Sequence, residues 1–167
     1  MNLNKILIAG ALALVGQAAS AGAFSYDCVD CPITIGPSPG VFTSTITVGD
    51  SGTILPDLDL FVDMNHTFSG DLIITLEHAG TSVQVYDQNG GIDPFTPTLF
   101  ADLTAFTGLD IMGDWTLIVE DDAFGDSGIL ANWNISGDTQ MAAVSEPGIL
   151  VLMGLGLFGL GFARRRS

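Results

Sequence analysis

Between Lys5 and Arg164 the chain has no lysine and no arginine. Its four basic residues, Lys5, Arg164, Arg165 and Arg166, lie at the ends, whereas all 19 acidic residues lie between Asp27 and Glu146. A body so lopsided repels nucleic acid and anionic membrane surfaces and attracts cations, so nucleic-acid binding is excluded as a function class. Histidine is nearly as scarce: His66 and His78 are the only two in 167 residues, which limits general bases and nitrogen metal ligands alike. Cysteine is confined to Cys28 and Cys31. The body also lacks a long apolar run and a helical period. The mean hydropathy of +0.47 comes from two end segments.

The first of these, residues 1–23, reads as an export signal. Lys5 supplies a positive n-region, Ile6–Gly16 an apolar core of secretory length, and Ala19-Ser20-Ala21 or Ala21-Gly22-Ala23 a small-x-small cleavage site. The crowding of small residues favours this over a retained anchor. The mature protein then begins near Gly22 or Phe24. In an exported chain the C-x-x-C pair Cys28/Cys31 points first to a small disulfide loop. Redox catalysis is disfavoured because Pro32 and a loop rich in Asp, Gly and Pro follow, where a redox pair normally opens a helix. Zinc would need two further ligands, which two isolated histidines supply poorly. No lipobox precedes Cys28.

Residues 24–42 read as a loop closing on the Gly/Pro linker Gly36–Gly40, and residues 43–137 as one folded body. Thr43–Val48 alternates like an edge strand; Leu58, Leu60, Val62 and Met64 mark one face of the next strand, with Asp57, Asp59 and Asp63 on the other. Leu72, Ile74 and Leu76 alternate with polar residues over Asp71–Glu77, and a further strand spans Thr81–Asp87. Pro94 and Pro97 place a loop before an edge strand at Thr98–Leu103. Trp115, Leu117 and Val119 form one later row, and Ile129, Ala131, Trp133 and Ile135 another. About eight short strands separated by turn residues predict an all-β jelly-roll sandwich. Residues 138–144 read as a linker.

Two runs carry a family resemblance. His66-Thr67, Gly70-Asp71-Leu72, Gly80-Thr81-Ser82, Gly113-x-Trp115-x-Leu117 and Gly125-Asp126-Ser127-Gly128-x-Leu130, closed by Trp133, resemble the P domain (P/homo-B domain) that follows the catalytic domain of subtilisin-like proprotein convertases. The resemblance covers roughly residues 43–137. It implies a β-sandwich that stabilises and regulates an attached protease, of which this chain contains no catalytic domain. The last segment, residues 145–167, holds Glu146-Pro147, the uncharged run Gly148–Ala163 and Arg164–Arg166. As a helix that run would be roughly 24 Å long, just under the ~30 Å hydrocarbon core, with the arginines fixing the C-terminus on the cytoplasmic side. It resembles the PEP-CTERM sorting signal processed by an exosortase, with Ser145 where the family has proline. A plain tail anchor is the alternative. The resemblance implies export machinery and a sorting peptidase as partners, a transient transmembrane helix, and release to the cell surface or extracellular matrix.

Two pieces of chemistry compete in the acidic turn Glu120–Gly128. Gly125-Asp126-Ser127-Gly128 looks like the nucleophile loop of trypsin-like proteases, but that chemistry needs a histidine base, an orienting carboxylate and an oxyanion hole, and the match ends at Ile129. The sandwich explains the same letters as a turn between paired strands, with His66 bonding nearby backbone and His78 in a solvated turn. Calcium is the better candidate cofactor: Glu120, Asp121, Asp122 and Asp126 lie in one turn, Asp71 approaches if the central strands are neighbours, and calcium takes six to eight oxygen ligands. The order of an EF-hand is absent. The expected function is a non-catalytic structural or binding module of the envelope, its partner a protease or an extracellular polysaccharide. An accessory role in trans with a subtilisin-like protease comes second and a hydrolase third.

Overall fold

A computed structural model describes residues 20–140. The expected export signal, up to residue 19, and the expected C-terminal helix lie outside the described residues. Among the described residues there are ten strands: β1 Ala21–Asp27, β2 Ile33–Ile35, β3 Gly40–Val48, β4 Thr53–Ile54, β5 Asp59–His66, β6 Leu72–His78, β7 Thr81–Asp87, β8 Thr98–Phe100, β9 Gly113–Asp121 and β10 Gly128–Gln140. All pairs are antiparallel. One sheet runs β1-β10-β5-β8, with β2 and β4 also paired to β10; the other runs β3-β9-β6-β7. The described residues are all-β, and among them no helix is long and apolar enough to cross a membrane.

Period-two alternation builds the core. Leu60, Val62 and Met64 of β5, Leu72, Ile74 and Leu76 of β6, and Trp115, Leu117 and Val119 of β9 are all fully buried in one cluster shared by both sheets. Trp115 donates its Nε1 proton to Ile111 O at 3.0 Å, and Trp133 donates to Ser44 Oγ at 2.6 Å, so neither indole is buried unpaired. β3 and β8 lie at sheet edges, as their alternation and prolines suggest.

Three expectations are corrected. Residues 24–42 are not simply a loop: Phe24, Tyr26, Cys28 and Ile33 pack against the core from β1, β2 and the turn between them. At the other end β10 continues past residue 137 to Gln140, pairing Ala21↔Gln140 through Asp27↔Asn134 with β1. In β10 itself the inward row is not Ile129, Ala131, Trp133 and Ile135. The register slips between Leu130 and Asn132, leaving Ala131 as an extra residue. Leu130, Trp133 and Ile135 are therefore buried, and Ile129 is 51% exposed.

Candidate functional site

The body has two ends. At the end that we term the tip, β5 stops at His66, β9 stops at Asp121 and β10 starts at Gly128, with Gly128 paired to His66. The opposite end, the base, holds His78, Asp110 and both described chain ends, since Ala21 pairs with Gln140 and Thr139 with Ile54.

At the tip, His66 and Asp121 are each 2% exposed. His66 Nδ1 lies 2.9 Å from Phe68 O, and Nε2 lies 3.4 Å from Asp121 Oδ2. This contact is not aligned as a hydrogen bond, and both atoms otherwise lack a partner. Asp121 Oδ1 accepts from Ala123 N at 3.4 Å. Around this pair the acidic residues crowd. Burial and then the charges of Asp121, Asp126 and Asp122 push the Asp71 carboxyl above its usual range, with His66 opposing. Asp122 N donates to Asp71 O at 3.1 Å because β6 and β9 are neighbours.

Of the residues expected to hold calcium, the structure thus brings together Asp71, Asp121, Asp122 and Asp126. Glu120 lies on the opposite face of β9 from Asp121 by strand alternation, in register with Val41 and Ile73. Among the described residues, the one group of three ligand atoms within 4.8 Å of one another is Cys28, Asp30 and Cys31. Cys28 and Cys31 are bonded to each other as a disulfide. Asp30 accepts from Ser44 Oγ, which accepts from Trp133 Nε1, so the loop they close secures a buried polar chain over the core.

The Gly-Asp-Ser-Gly letters have a conformational origin. Gly125 sits at φ 110°, a region glycine occupies freely. A Cβ at Gly128 would strike Asn65 O and come within 2.8 Å of His66 Cδ2. Thr67 clasps the turn: its Oγ1 donates to Asp126 Oδ1 at 2.8 Å and accepts from Ser127 N at 3.1 Å, while its own N donates to Ser127 O at 3.1 Å. Ser127 and His66 do line one groove, but the ring nitrogens of His66 face Phe68 O and Asp121 rather than the Ser127 hydroxyl. No nucleophile–base hydrogen bond joins them.

His78 corrects a further expectation, for it is buried to 3% rather than solvated. Its ring stacks on Trp115 with centroids 3.9 Å apart and planes within 1°. Nδ1 lies 3.0 Å from Asp114 O and Nε2 2.7 Å from Asp110 O. Both partners are backbone carbonyl acceptors, so each ring nitrogen is held by main chain and neither is turned toward a reacting group. The adjacent Asp110 carboxylate accepts from Gly52 N at 3.0 Å, Met112 N at 3.1 Å and Ser51 Oγ at 3.0 Å. The Gly52 and Met112 amides hold its carboxyl below the usual range, outweighing burial, with Ser51 and His78 adding to the effect. No signal in single residues separates His66 from His78; only strand pairing reveals that both are interior.

The comparisons agree with this architecture. Residues 55–136 match the family model of the proprotein convertase P-domain, and residues 143–166 match the PEP-CTERM protein-sorting motif. Among curated proteins there is no significant sequence match. Two solved structures of the Aeromonas sobria serine protease, one alone and one in complex with a chaperone, superpose with TM-scores of 0.51 and 0.52 at 17% identity. Each covers 74% of this chain, which spans only 28% of the protease. FLHE superposes with a TM-score of 0.53 at 12% identity, over 74% of this chain and all of its own. At such identities the likeness concerns the fold alone. The P-domain is a non-catalytic accessory domain, and the sorting motif indicates export and delivery to the cell envelope. The chain therefore carries a proprotein convertase P-domain over residues 55–136, followed by a PEP-CTERM sorting motif over residues 143–166.

Proposed function

We propose that the protein is a non-catalytic binding module displayed at the cell surface or in the extracellular matrix after exosortase processing. The observation that carries this reading is the state of its two histidines: both are buried, and both are engaged by groups other than a nucleophile. The geometry also suits display. The chain enters and leaves the body side by side at the base, and β10, 13 residues long, spans about 40 Å to the tip. Two measurements on the full-length exported protein test the reading. A fluorophosphonate probe should leave it unlabelled, and C-terminal peptide mapping of surface and medium fractions should find an end near Ser145–Pro147. Stoichiometric labelling, or a mature extracellular protein still ending at Ser167, would overturn the respective half.

An accessory role in trans with a subtilisin-like protease is the second reading, favoured by the P-domain match itself. It requires saturable binding to such a protease and a change in that protease's stability. Calcium at Asp71, Asp121, Asp122 and Asp126 fits either role, by relieving the repulsion that adds to burial in raising the Asp71 carboxyl. Millimolar calcium should raise the melting temperature more than magnesium at matched ionic strength. Equal shifts would mean a solvated acidic surface.

A further inference from the structure

At the tip, the outward face of the six-stranded sheet opens into a groove of about 710 Å³. The groove depends on the bulge at Ala131. The slip that turns Leu130 inward leaves Ile129 outward at 51% exposure, between Thr34 of β2 and Asn65 of β5, its register partners. Pro94 and Phe95 extend the apolar wall, and Thr67 and Ser127 add hydroxyl groups at one end. Carboxylates stand at both ends. Asp126 is bonded to the lining Thr67, and Asp63 lies on the same outward face of β5 two residues from the lining Asn65. The described body has no lysine or arginine to neutralise them. An aliphatic floor with acidic ends complements a segment that is aliphatic in the middle and basic at its flanks. A second copy of the body has no basic residue to offer. A sugar ring would find no aromatic face, because Phe95 is buried to 3%.

We infer that this groove binds a basic, aliphatic polypeptide segment, with an aliphatic side chain seated on Ile129 and basic residues paired to Asp126 and Asp63. The inference rests on the binding-module reading and names its site. Apolar contact on Ile129 supplies affinity, and the carboxylates supply steering and salt dependence.

The probe is a short fluorescent peptide alternating leucine and arginine, titrated by anisotropy against the detergent-solubilised full-length protein. Saturable binding is expected, weakening as salt rises. Ile129→Ser should weaken it about tenfold, equivalent to ~1.4 kcal/mol. Asp126→Asn should weaken it several-fold and flatten the salt dependence. Val41→Ser, at an exposed aliphatic position on the other sheet, should change nothing and controls for general surface stickiness. An unchanged melting temperature of the Ile129→Ser protein shows that the loss lies in the groove. Equal binding of a peptide alternating serine and arginine would reduce the effect to charge and overturn the inference. So would equal binding of a leucine–glutamate peptide, full binding by Ile129→Ser, or no binding at all. Labelling by fluorophosphonate would instead defeat the non-catalytic reading while leaving the peptide result standing, so the two failures are distinguishable.

Discussion

The tip and the base of this sandwich each bury one histidine at the end of a central strand, and they treat it in opposite ways. At the base, His78 faces two carbonyls, lies flat on Trp115, and has beside it a carboxylate already saturated by Gly52, Met112 and Ser51. At the tip, His66 faces a buried carboxylate across 3.4 Å without a well-formed hydrogen bond, and carboxylates that repel one another surround it. One end satisfies its polar groups locally and the other leaves them strained. Folded proteins retain such unresolved electrostatics where it serves recognition more than stability, and the groove opens at that end.

The largest effect should come from breaking the tip pair. His66→Ala strands Asp121 in the interior and should lower the unfolding free energy by about 3–5 kcal/mol. The double replacement with Asp121→Ala should recover part of that loss. Urea denaturation of the two proteins measures the difference, and a double variant less stable than the single one would mean that the carboxylate has other partners. Next comes the base. His78→Phe keeps the stack on Trp115 and removes the ring nitrogens that face Asp110 O and Asp114 O, so a loss of about 1–3 kcal/mol is expected. A loss larger than that of His66→Ala would reverse the comparison.

Smaller effects separate the two ends by pH. The Asp110 carboxyl is held low, so its contribution to stability is present above the ordinary carboxylate range and is lost as pH falls through the folded value. The Asp71 carboxyl is held high, so its ionised form opposes folding at neutral pH, and protonation on acidification relieves that cost. Asp110→Asn should therefore lower, and Asp71→Asn raise, the melting temperature near pH 7. Each change should be worth about 0.2–1 kcal/mol after solvent screening; on acidification the Asp71 effect should fade first, because its carboxyl is held above the ordinary range, and the Asp110 effect only below that range. Shifts of the same sign at pH 7 would erase the contrast. Smallest of all is Ser127→Ala, because Thr67 clasps the turn through the backbone and through Asp126 rather than through the Ser127 hydroxyl. Thermal unfolding should be unchanged within about 0.5 kcal/mol; a larger loss would give the hydroxyl a role that the turn does not require.

What was legible in the sequence was whatever followed from period-two alternation. Leu60, Val62 and Met64, Leu72, Ile74 and Leu76, and Trp115, Leu117 and Val119 read correctly because each row is uninterrupted. β10 misled because one inserted residue at Ala131 shifts the phase, and nothing local marks the insertion. β1 was obscured because Phe24 and Tyr26 alternate beside a signal-like segment and a proline-rich loop, while the strand's identity depends on pairing with residues more than a hundred positions away. The histidines were the hardest. The burial of His78 depends on Trp115 and Asp110, and that of His66 on Asp121, all across strands. The groove combines the bulge with that long-range pairing, so its apolar floor stayed hidden in Ile129 and Ala131, which read as part of an inward row.

The pairing of Ala21 with Gln140 has a mechanical consequence. If the tail were tethered, it would pull at the base end of β10, while a partner in the proposed groove would pull at the tip on the flanking strands, through Asn65 of β5 and Thr34 of β2. Tension then runs along β10 and across its ladders to those strands. The backbone hydrogen bonds of those ladders are loaded together, in shear, instead of opening one after another. A strand gripped this way yields only when many bonds fail at once. The same sheet pulled sideways through its edge strand β8, which has three register pairs, would unzip far sooner.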